Sequence, residues 1–313
     1  MPTTSAPVPS TRPKDNRRHH KVPVALLGRF TDDGTDDGLL YVGDPLKKEW
    51  RPSTPRAECA ERGYYAVDAD GWGPGDVEDM LAEEIDGPAG AILKSIAATQ
   101  REPSKPETGV LVQFLGMQAL RVDQFRKALF AHDKAIADRV IAESSTDVAF
   151  DEYERAHGVK FPPEKRAKMR EINFEYVGNT RPVDQMLRTF GNLLNDLRRL
   201  RWRVVTLPMG SPNLVCSDHP ASYVRVREDG RLQTIMGGWA RPDVAALMPL
   251  STRQLLIGST EALVPLLDDR IDRCAVSEFN HVTVMAARWI YASEPKGAGL
   301  RPLPLRTPKA SVT

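Results

Sequence analysis

The chain has 313 residues, of which 41% are hydrophobic and 27% charged, and 43 Lys and Arg side chains face 42 Asp and Glu side chains. Because these charges nearly cancel, the molecule as a whole has no electrostatic field that would attract nucleic acid or an anionic membrane. Three scattered cysteines are too few for a disulfide framework. Because no signal peptide or membrane-spanning apolar run stands out, the sequence predicts a cytoplasmic protein with no membrane partner.

Both ends of the chain are poor in residues that could form a core. Residues 1–16 are rich in Pro, Thr, Ser and charge, which predicts a disordered leader. Residues 294–313 contain four prolines, which predicts a flexible Pro-rich tail. We therefore expect a single globular domain over residues 17–293.

Predicted elements begin with short strands and continue with helices. The apolar cluster Val22–Phe30 precedes two turns and a strand at Leu39–Val42. Apolar residues at three- and four-residue steps then predict helices over Asp76–Ile96, Val110–Ala131, Asp133–Glu143, from Pro162 onward, and over Val183–Leu200.

The last third returns to strands. Runs bounded by Pro, Gly and Asp predict strands at Trp202–Leu207, Asn213–Cys216, Ser222–Arg227, Leu247–Leu250 and Gln254–Gly258, with helices at Glu261–Leu267 and Val276–Tyr291. Because the predicted helices are grouped in the middle of the chain and the predicted strands in its last third, the pattern favours an α+β fold over an alternating α/β fold. We expect a helical middle packed on a mostly antiparallel small sheet built from the N-terminal and C-terminal thirds.

Histidines concentrate near the start of the chain, in the segment Arg18–Pro23. Pro23 favours extended geometry in the residue before it, and adjacent side chains of an extended chain point to opposite faces. At most one of His19 and His20 therefore faces a common site, as general base or metal ligand. The alternative is that both belong to a basic surface.

The segment Cys216–Pro220 contains Ser217, Asp218 and His219 at the end of a predicted strand. Three consecutive side chains do not converge as a catalytic triad must. One hypothesis makes Asp218 the group that orients a histidine from elsewhere. The other makes it a turn residue whose carboxylate accepts backbone N–H groups.

Gln118 and Arg121 lie three residues apart on one helix face, beside apolar side chains. An Arg set in an apolar face suits a carboxylate or phosphate, because its planar fork bonds bidentately. An internal salt bridge, for instance to Asp218 or Glu84, explains it equally well. Asn280 is a polar residue in an apolar helix pattern and serves either a ligand or the core.

Two charged runs allow further interpretations. Glu83, Glu84 and Asp86 share one helical turn, which is typical of a metal site, of a carboxyl with a raised pKa or of a solvated face. The run Arg198–Arg203 ends a predicted helix, where arginines favour the helix dipole. With Trp202 for stacking, it is also the strongest candidate for nucleic-acid contact.

The order of these motifs resembles the bacterial domain-of-unknown-function 4238 family over roughly residues 17–293. The resemblance lies in His19-His20-x-x-Pro23, Gln118-x-x-Arg121, Ser217-Asp218-x-Pro220 and Asn280. Lys21 departs from the aromatic that the family tends to have after the histidine pair, and Asp86 stands where the family tends to have Glu. The resemblance implies a single domain and no established activity.

Together these residues predict a hydrolase or group-transfer enzyme acting on a phosphate-bearing substrate, either a nucleotide or nucleic acid. His20 or His19 would be the general acid/base, oriented by Asp218. Gln118, Arg121, Ser217 and Asn280 would bind the substrate. A metal version would use His20, Asp218 and Asp86. The alternative is a non-catalytic ligand-binding or regulatory protein in which the same residues form a structural polar network.

Overall fold

The structure is a computed structural model that describes residues 17–47, 49–67, 71–73, 75–99, 101–172, 180–235, 241–268, 271, 273–285 and 287–294, apart from the side chains of residues 273–275. The expected leader and all of the expected tail except its first residue lie outside the described residues.

Helices dominate the middle of the chain. In chain order, the α-helices of the described residues are α1 (Val24–Leu27), α2 (Asp76–Leu81), α3 (Gly87–Thr99), α4 (Lys105–Leu120), α5 (Asp123–Ser144), α6 (Asp147–His157), α7 (Pro163–Arg170), α8 (Thr180–Leu197), α9 (Val264–Asp268) and α10 (Arg273–Met285). A single π-helical turn, Ala82–Asp86, joins α2 to α3.

Within the described residues the strands form three antiparallel sheets. A two-stranded sheet pairs β1 (Arg18–His20) with β4 (Ala60–Arg62). A four-stranded sheet has the order β3 (Glu49–Ser53), β2 (Leu40–Asp44), β11 (Ile290–Ala292), β6 (Cys216–Ser217). A five-stranded sheet has the order β5 (Arg201–Thr206), β10 (Gln254–Ser259), β9 (Val244–Pro249), β7 (Ser222–Val226), β8 (Leu232–Thr234).

The α+β prediction is therefore confirmed. The four-stranded sheet takes β2 and β3 from the N-terminal third and β6 and β11 from the C-terminal third, as expected. The five-stranded sheet belongs wholly to the last third and was not expected as a separate unit. The expected single small sheet is thus three sheets.

Three predicted helix boundaries are wrong. The helix expected over 110–131 is interrupted after Leu120, where Val122 is extended with ψ at 149° before α5 begins. The break expected between residues 131 and 133 is absent, because α5 runs from Asp123 to Ser144. The helix expected to reach Tyr291 ends at Met285, and residues 290–292 instead pair with β2 and β6.

Helix α4 lies at the centre of the core. Every residue of its last turns, from Phe114 to Leu120, is buried, so that it has no solvent-exposed face there. It packs against α3, α8 and the π-helical turn. The polar side chains at its end, Gln118 and Arg121, consequently enter the interior of the protein.

Candidate functional site

Arg121 forms the centre of a buried polar cluster. Its side chain is fully buried, and its two terminal nitrogens donate to the two carboxylate oxygens of Asp86 at 2.8 Å each. Burial opposes the charge of the guanidinium, but the carboxylate of Asp86 outweighs burial and raises the pKa of Arg121. The salt bridge expected as one interpretation of Arg121 exists, with Asp86 as the partner.

The π-helical turn explains how Asp86 reaches Arg121. The N–H of Gly87 bonds to the carbonyl of Ala82, five residues back. Pro88 follows, and its ring would collide with the carbonyl four residues before it in a regular helix. The widened turn leaves Glu83 and Glu84 exposed and turns Asp86 inward. Single π turns of this kind occur often at functional sites.

The two histidines lie at different depths in this cluster. His19 is fully buried, and its Nδ1 accepts the backbone N–H of Tyr65 at 2.8 Å, which leaves the proton of the neutral ring on Nε2. Its ring stacks on Tyr65 with centroids 5.7 Å apart. His20 is half-buried, and its backbone N–H donates to Oε1 of Glu78 at 3.3 Å.

Burial shifts the pKa values of His20 and Glu78, the two groups at the edge of the cluster that can transfer protons. Burial, helped by the charge of Arg18, lowers the pKa of His20, so the imidazole stays neutral at pH 7. Burial raises the pKa of the Glu78 carboxyl, although the backbone N–H of His20 and the charge of Arg121 oppose that shift. A neutral imidazole and a carboxyl with a raised pKa are each suited to proton transfer, although the contact between these two residues is made by the backbone N–H of His20.

Several buried polar atoms of the cluster have no hydrogen-bond partner among the described residues. They are Nε2 and Oε1 of Gln118, Oη of Tyr65, Nε of Arg121 and Nε2 of His20. Unpaired buried polar groups are costly, and water or a bound molecule normally satisfies them. His19, Tyr65, Gln118 and Arg121 are buried, while His20, Glu78 and Asp86 are partly exposed; we call these three partly exposed residues the rim of the cluster.

Asp218 has different neighbours. Its Oδ1 accepts the backbone N–H groups of Arg288 and Trp289 at 2.9 and 3.1 Å. Burial raises its pKa, the charge of Asp123 adds to this shift, and the charge of Lys21 opposes it. The turn itself is closed by Ser217, whose Oγ accepts the N–H of His219 at 3.1 Å.

The N-terminal arm thus approaches Asp218 with Lys21, while its histidines face the Arg121 cluster. The Lys21 ammonium also bonds Asp123 at 3.1 Å. The recorded contacts of Asp218 fit the backbone-anchoring hypothesis, with acceptance from a distant segment in place of the local turn.

Asn280 has both ends of its amide occupied by backbone. Its Oδ1 accepts the N–H of Val215 at 3.0 Å, and its Nδ2 donates to the carbonyl of Asn213 at 2.8 Å. The side chain therefore ties α10 to the segment that leads into β6. Because the side chain is fully buried and both of its polar atoms bond the backbone, these contacts fit the interpretation that Asn280 serves the core.

Acidic partners accompany the arginines of the run 198–203. Arg199 pairs with Asp196 at 3.6 Å, Arg201 pairs with Glu261 at 2.7 Å, and Arg203 pairs with Asp268. The indole N–H of Trp202 donates to the carbonyl of Leu197 at 2.8 Å. These contacts pair three of the four arginines of the run, which weakens the nucleic-acid interpretation because it depended on a free basic surface.

Across the described ranges, no group of three or more His, Cys, Asp or Glu side chains is arranged to hold a metal ion. The combination of His20, Asp86 and Asp218 is accordingly not assembled there. No described helix has the length and apolar character needed to cross a membrane.

Two members of the cluster, Glu78 and Tyr65, were not predicted from the sequence. Tyr65 follows a tight turn and carries no local mark of a buried site, and Glu78 resembles any acidic residue in the first turn of a helix. One signal was available: Pro88 interrupts a helical periodicity, which indicates an irregular turn next to Asp86.

The fold and the site define an α+β protein with a buried Arg–carboxylate centre under a histidine rim. The profile of the family described as a protein of unknown function (DUF4238) matches residues 18–296. The chain belongs to this family. Searches of curated proteins and of solved structures found no match.

Proposed function

We propose that the protein is a hydrolase or group-transfer enzyme in which His20 is the general acid/base. The observation that carries the proposal is the set of unpaired buried polar atoms of Gln118, Tyr65, Arg121 and His20, together with the partial exposure of His20, Glu78 and Asp86. Glu78 exchanges a proton with the reacting group or with water, and Gln118 and Tyr65 bind the substrate. The Arg121–Asp86 pair positions the rim.

The charges of the cluster favour a neutral or cationic substrate. Both terminal nitrogens of Arg121 are already bonded to Asp86, and Glu78 adds a second carboxylate. A phosphate dianion at this position would face two carboxylates with only Nε of the guanidinium to receive it. The phosphate-bearing substrate expected from Arg121 is for this reason not part of the proposal.

The test is hydrolysis of a panel of chromogenic esters, amides, glycosides and phosphoesters by the purified protein. His20→Asn removes the acid/base, so the rate should fall by about 100-fold or more. His132→Asn, on the exposed side of α5, is the matched control and should leave the rate unchanged. Because the pKa of His20 is lowered from 6.5, activity that needs the neutral imidazole should persist below pH 6.5.

Two results would contradict the proposal. One is that the wild-type protein turns over no substrate class in the panel. The other is that His20→Asn keeps a rate within about threefold of the wild type, since general acid/base catalysis contributes far more.

A second candidate is a non-catalytic protein in which the cluster is a structural network. The observation that favours it is the bidentate Arg121–Asp86 pair, because a buried ion pair with this geometry can hold α4 and the π-helical turn together without any ligand. In that case Gln118→Leu, which removes two unpaired buried atoms, should raise the free energy of unfolding and should leave every rate in the substrate panel unchanged.

A further inference from the structure

A groove on the four-stranded sheet is separate from the Arg121 cluster. Its lining consists of β2, the following turn, β3 and the residue before β11: Val42, Asp44, Lys47, Glu49, Trp50, Arg51 and Trp289. The space between these atoms is about 390 Å³, part of it open to solvent.

The groove contains a buried carboxylate oxygen with no donor. Asp44 is 5% exposed, and its Oδ1 accepts the backbone N–H groups of Leu46 and Lys47 at 2.9 and 3.2 Å. Its Oδ2 is buried without a hydrogen-bond partner among the described residues. The nearest guanidinium nitrogen, from Arg288, stops 3.8 Å away, which is too long for a hydrogen bond.

Two indole rings, those of Trp50 and Trp289, line the same groove. The Trp50 ring lies directly on the backbone of Gly43, where any Cβ would come within 3.0–3.2 Å of the ring. The Trp289 ring has the guanidinium groups of Arg51 and Arg288 at 5.7 and 5.1 Å from its centre. Arg51 is already bonded to Glu58, whereas Arg288 is half exposed and Lys47 is exposed.

We infer that this groove binds a nucleotide through its base, with the phosphate toward Lys47 and Arg288. Aromatic side chains provide stacking platforms for any base, and a carboxylate oxygen accepts from an exocyclic amino group. Adenine, cytosine and guanine carry such a group, and uracil does not. The groove should therefore prefer amino-bearing bases, either as free nucleotides or within a single strand.

The preference follows from the chemistry of one oxygen. Oδ2 of Asp44 is only an acceptor, so O4 of uracil would meet it with unfavourable charge. In Asp44→Asn the atom at that position can become an N–H donor while Oδ1 still accepts from the turn. This variant should lose affinity for AMP and gain affinity for UMP.

The experiment is isothermal titration of the full chain with AMP, CMP, GMP, UMP and ribose 5-phosphate, and with A8 and U8 RNA. We expect AMP, CMP and GMP to bind at least about tenfold more tightly than UMP, and Asp44→Asn to reverse the order of AMP and UMP. Trp289→Ala should weaken AMP binding by about tenfold or more. Trp72→Ala, at a half-exposed ring elsewhere in the chain, should leave it unchanged.

Circular dichroism of each variant separates loss of binding from loss of folding. Tighter binding of A8 than of AMP, with strong salt dependence, would identify a single strand as the ligand, and equal binding would identify the free nucleotide. Three outcomes overturn the inference: no binding of any probe at 10 mM (roughly the weakest affinity expected of a fragment-sized ligand), equal binding of ribose 5-phosphate and AMP, or unchanged AMP binding in Trp289→Ala.

Discussion

Three consecutive residues of the N-terminal arm meet three different environments. His19 is sealed against Tyr65, His20 lies at the rim beside Glu78, and Lys21 reaches Asp123. Strand β1 ends at His20, so Lys21 lies beyond the alternating part of the arm and bonds Asp123 instead. A motif of adjacent histidines thus contributes one structural ring and one ring available for chemistry.

Glu78 offers a test at this scale, because burial of its charge destabilises the fold. Its pKa is raised above 4.5, so the folded state holds the proton more firmly than the unfolded state. The penalty is absent below pH 4.5, appears as pH rises and is complete above the folded-state pKa. Glu78→Gln should therefore unfold at a higher temperature than the wild type at pH 8, and the difference should vanish near pH 4.

The matched control is Glu83→Gln, an exposed carboxylate on the adjoining π-helical turn. Thermal unfolding of this variant should follow the wild type across the same pH range. If Glu78→Gln is less stable than the wild type at pH 8, the carboxylate stabilises the fold and its proposed role fails. A gain in stability with a loss of activity is the pattern of a functional group.

At the scale of elements, the site depends on two interruptions of regular helix. The π-helical turn Ala82–Asp86 directs the Asp86 side chain inward. Helix α4 ends at Leu120, and the next residue, Arg121, forms the ion pair with Asp86. The hydroxyl of Tyr64 donates to the carbonyl of Arg121 at 3.2 Å, which satisfies a group freed by the break. Each interruption therefore lies next to one partner of the Arg121–Asp86 ion pair.

A second prediction concerns Asn280, which connects α10 to the segment before β6. Asn280→Ala leaves the N–H of Val215 and the carbonyl of Asn213 without partners in the interior. Two unsatisfied groups should lower the free energy of unfolding by about 2–5 kcal/mol, as measured by urea denaturation. His281→Ala, at the exposed neighbouring position, is the control and should change it by less than about 0.5 kcal/mol.

A result in which both variants lose the same stability would show that the change reflects helix α10 in general and not the Asn280 anchor. Unchanged ligand binding or activity in a folded Asn280→Ala protein would further separate the anchoring role from the substrate-binding role expected from the sequence.

At the scale of the whole molecule, the four-stranded sheet connects the two ends of the domain. Ile290 of β11 pairs with Gly43 on one side and with Ser217 on the other. The nucleotide groove and the Ser217-Asp218 turn consequently lie on the same sheet, whereas the Arg121 cluster lies among α2, α4 and β1. The two proposed sites can be tested independently.

The domain limits give a further prediction. A chain of residues 17–293 should unfold within about 2 °C of the full chain in a thermal scan, because the removed residues were expected to bury little. A chain that begins at Lys21 also loses β1 and the fully buried His19, and it should unfold at a clearly lower temperature. A drop of more than about 5 °C for residues 17–293 would contradict the expected boundaries.

Sequence periodicity predicted the elements better than their ends. The helices near 76–96, 163–170 and 183–197 and the strands β5, β7, β9 and β10 match their predicted positions closely. The single helix predicted over 110–131 is two helices, and β3, β4, β8 and α6 were not predicted. Short edge strands and exposed helices bury too little to leave a clear apolar pattern.

By itself, the sequence determined the α+β class and the family, and it singled out His20, Gln118 and Arg121. These are local properties, because periodicity and motif spacing depend on residues close along the chain. Only the tertiary structure decided that Arg121 pairs with Asp86, that Glu78 and Tyr65 complete the cluster, and that Lys21 approaches Asp218. Those pairings join residues 35 or more positions apart, and burial, which also sets the pKa values of His20 and Glu78, exists only once the chain has packed.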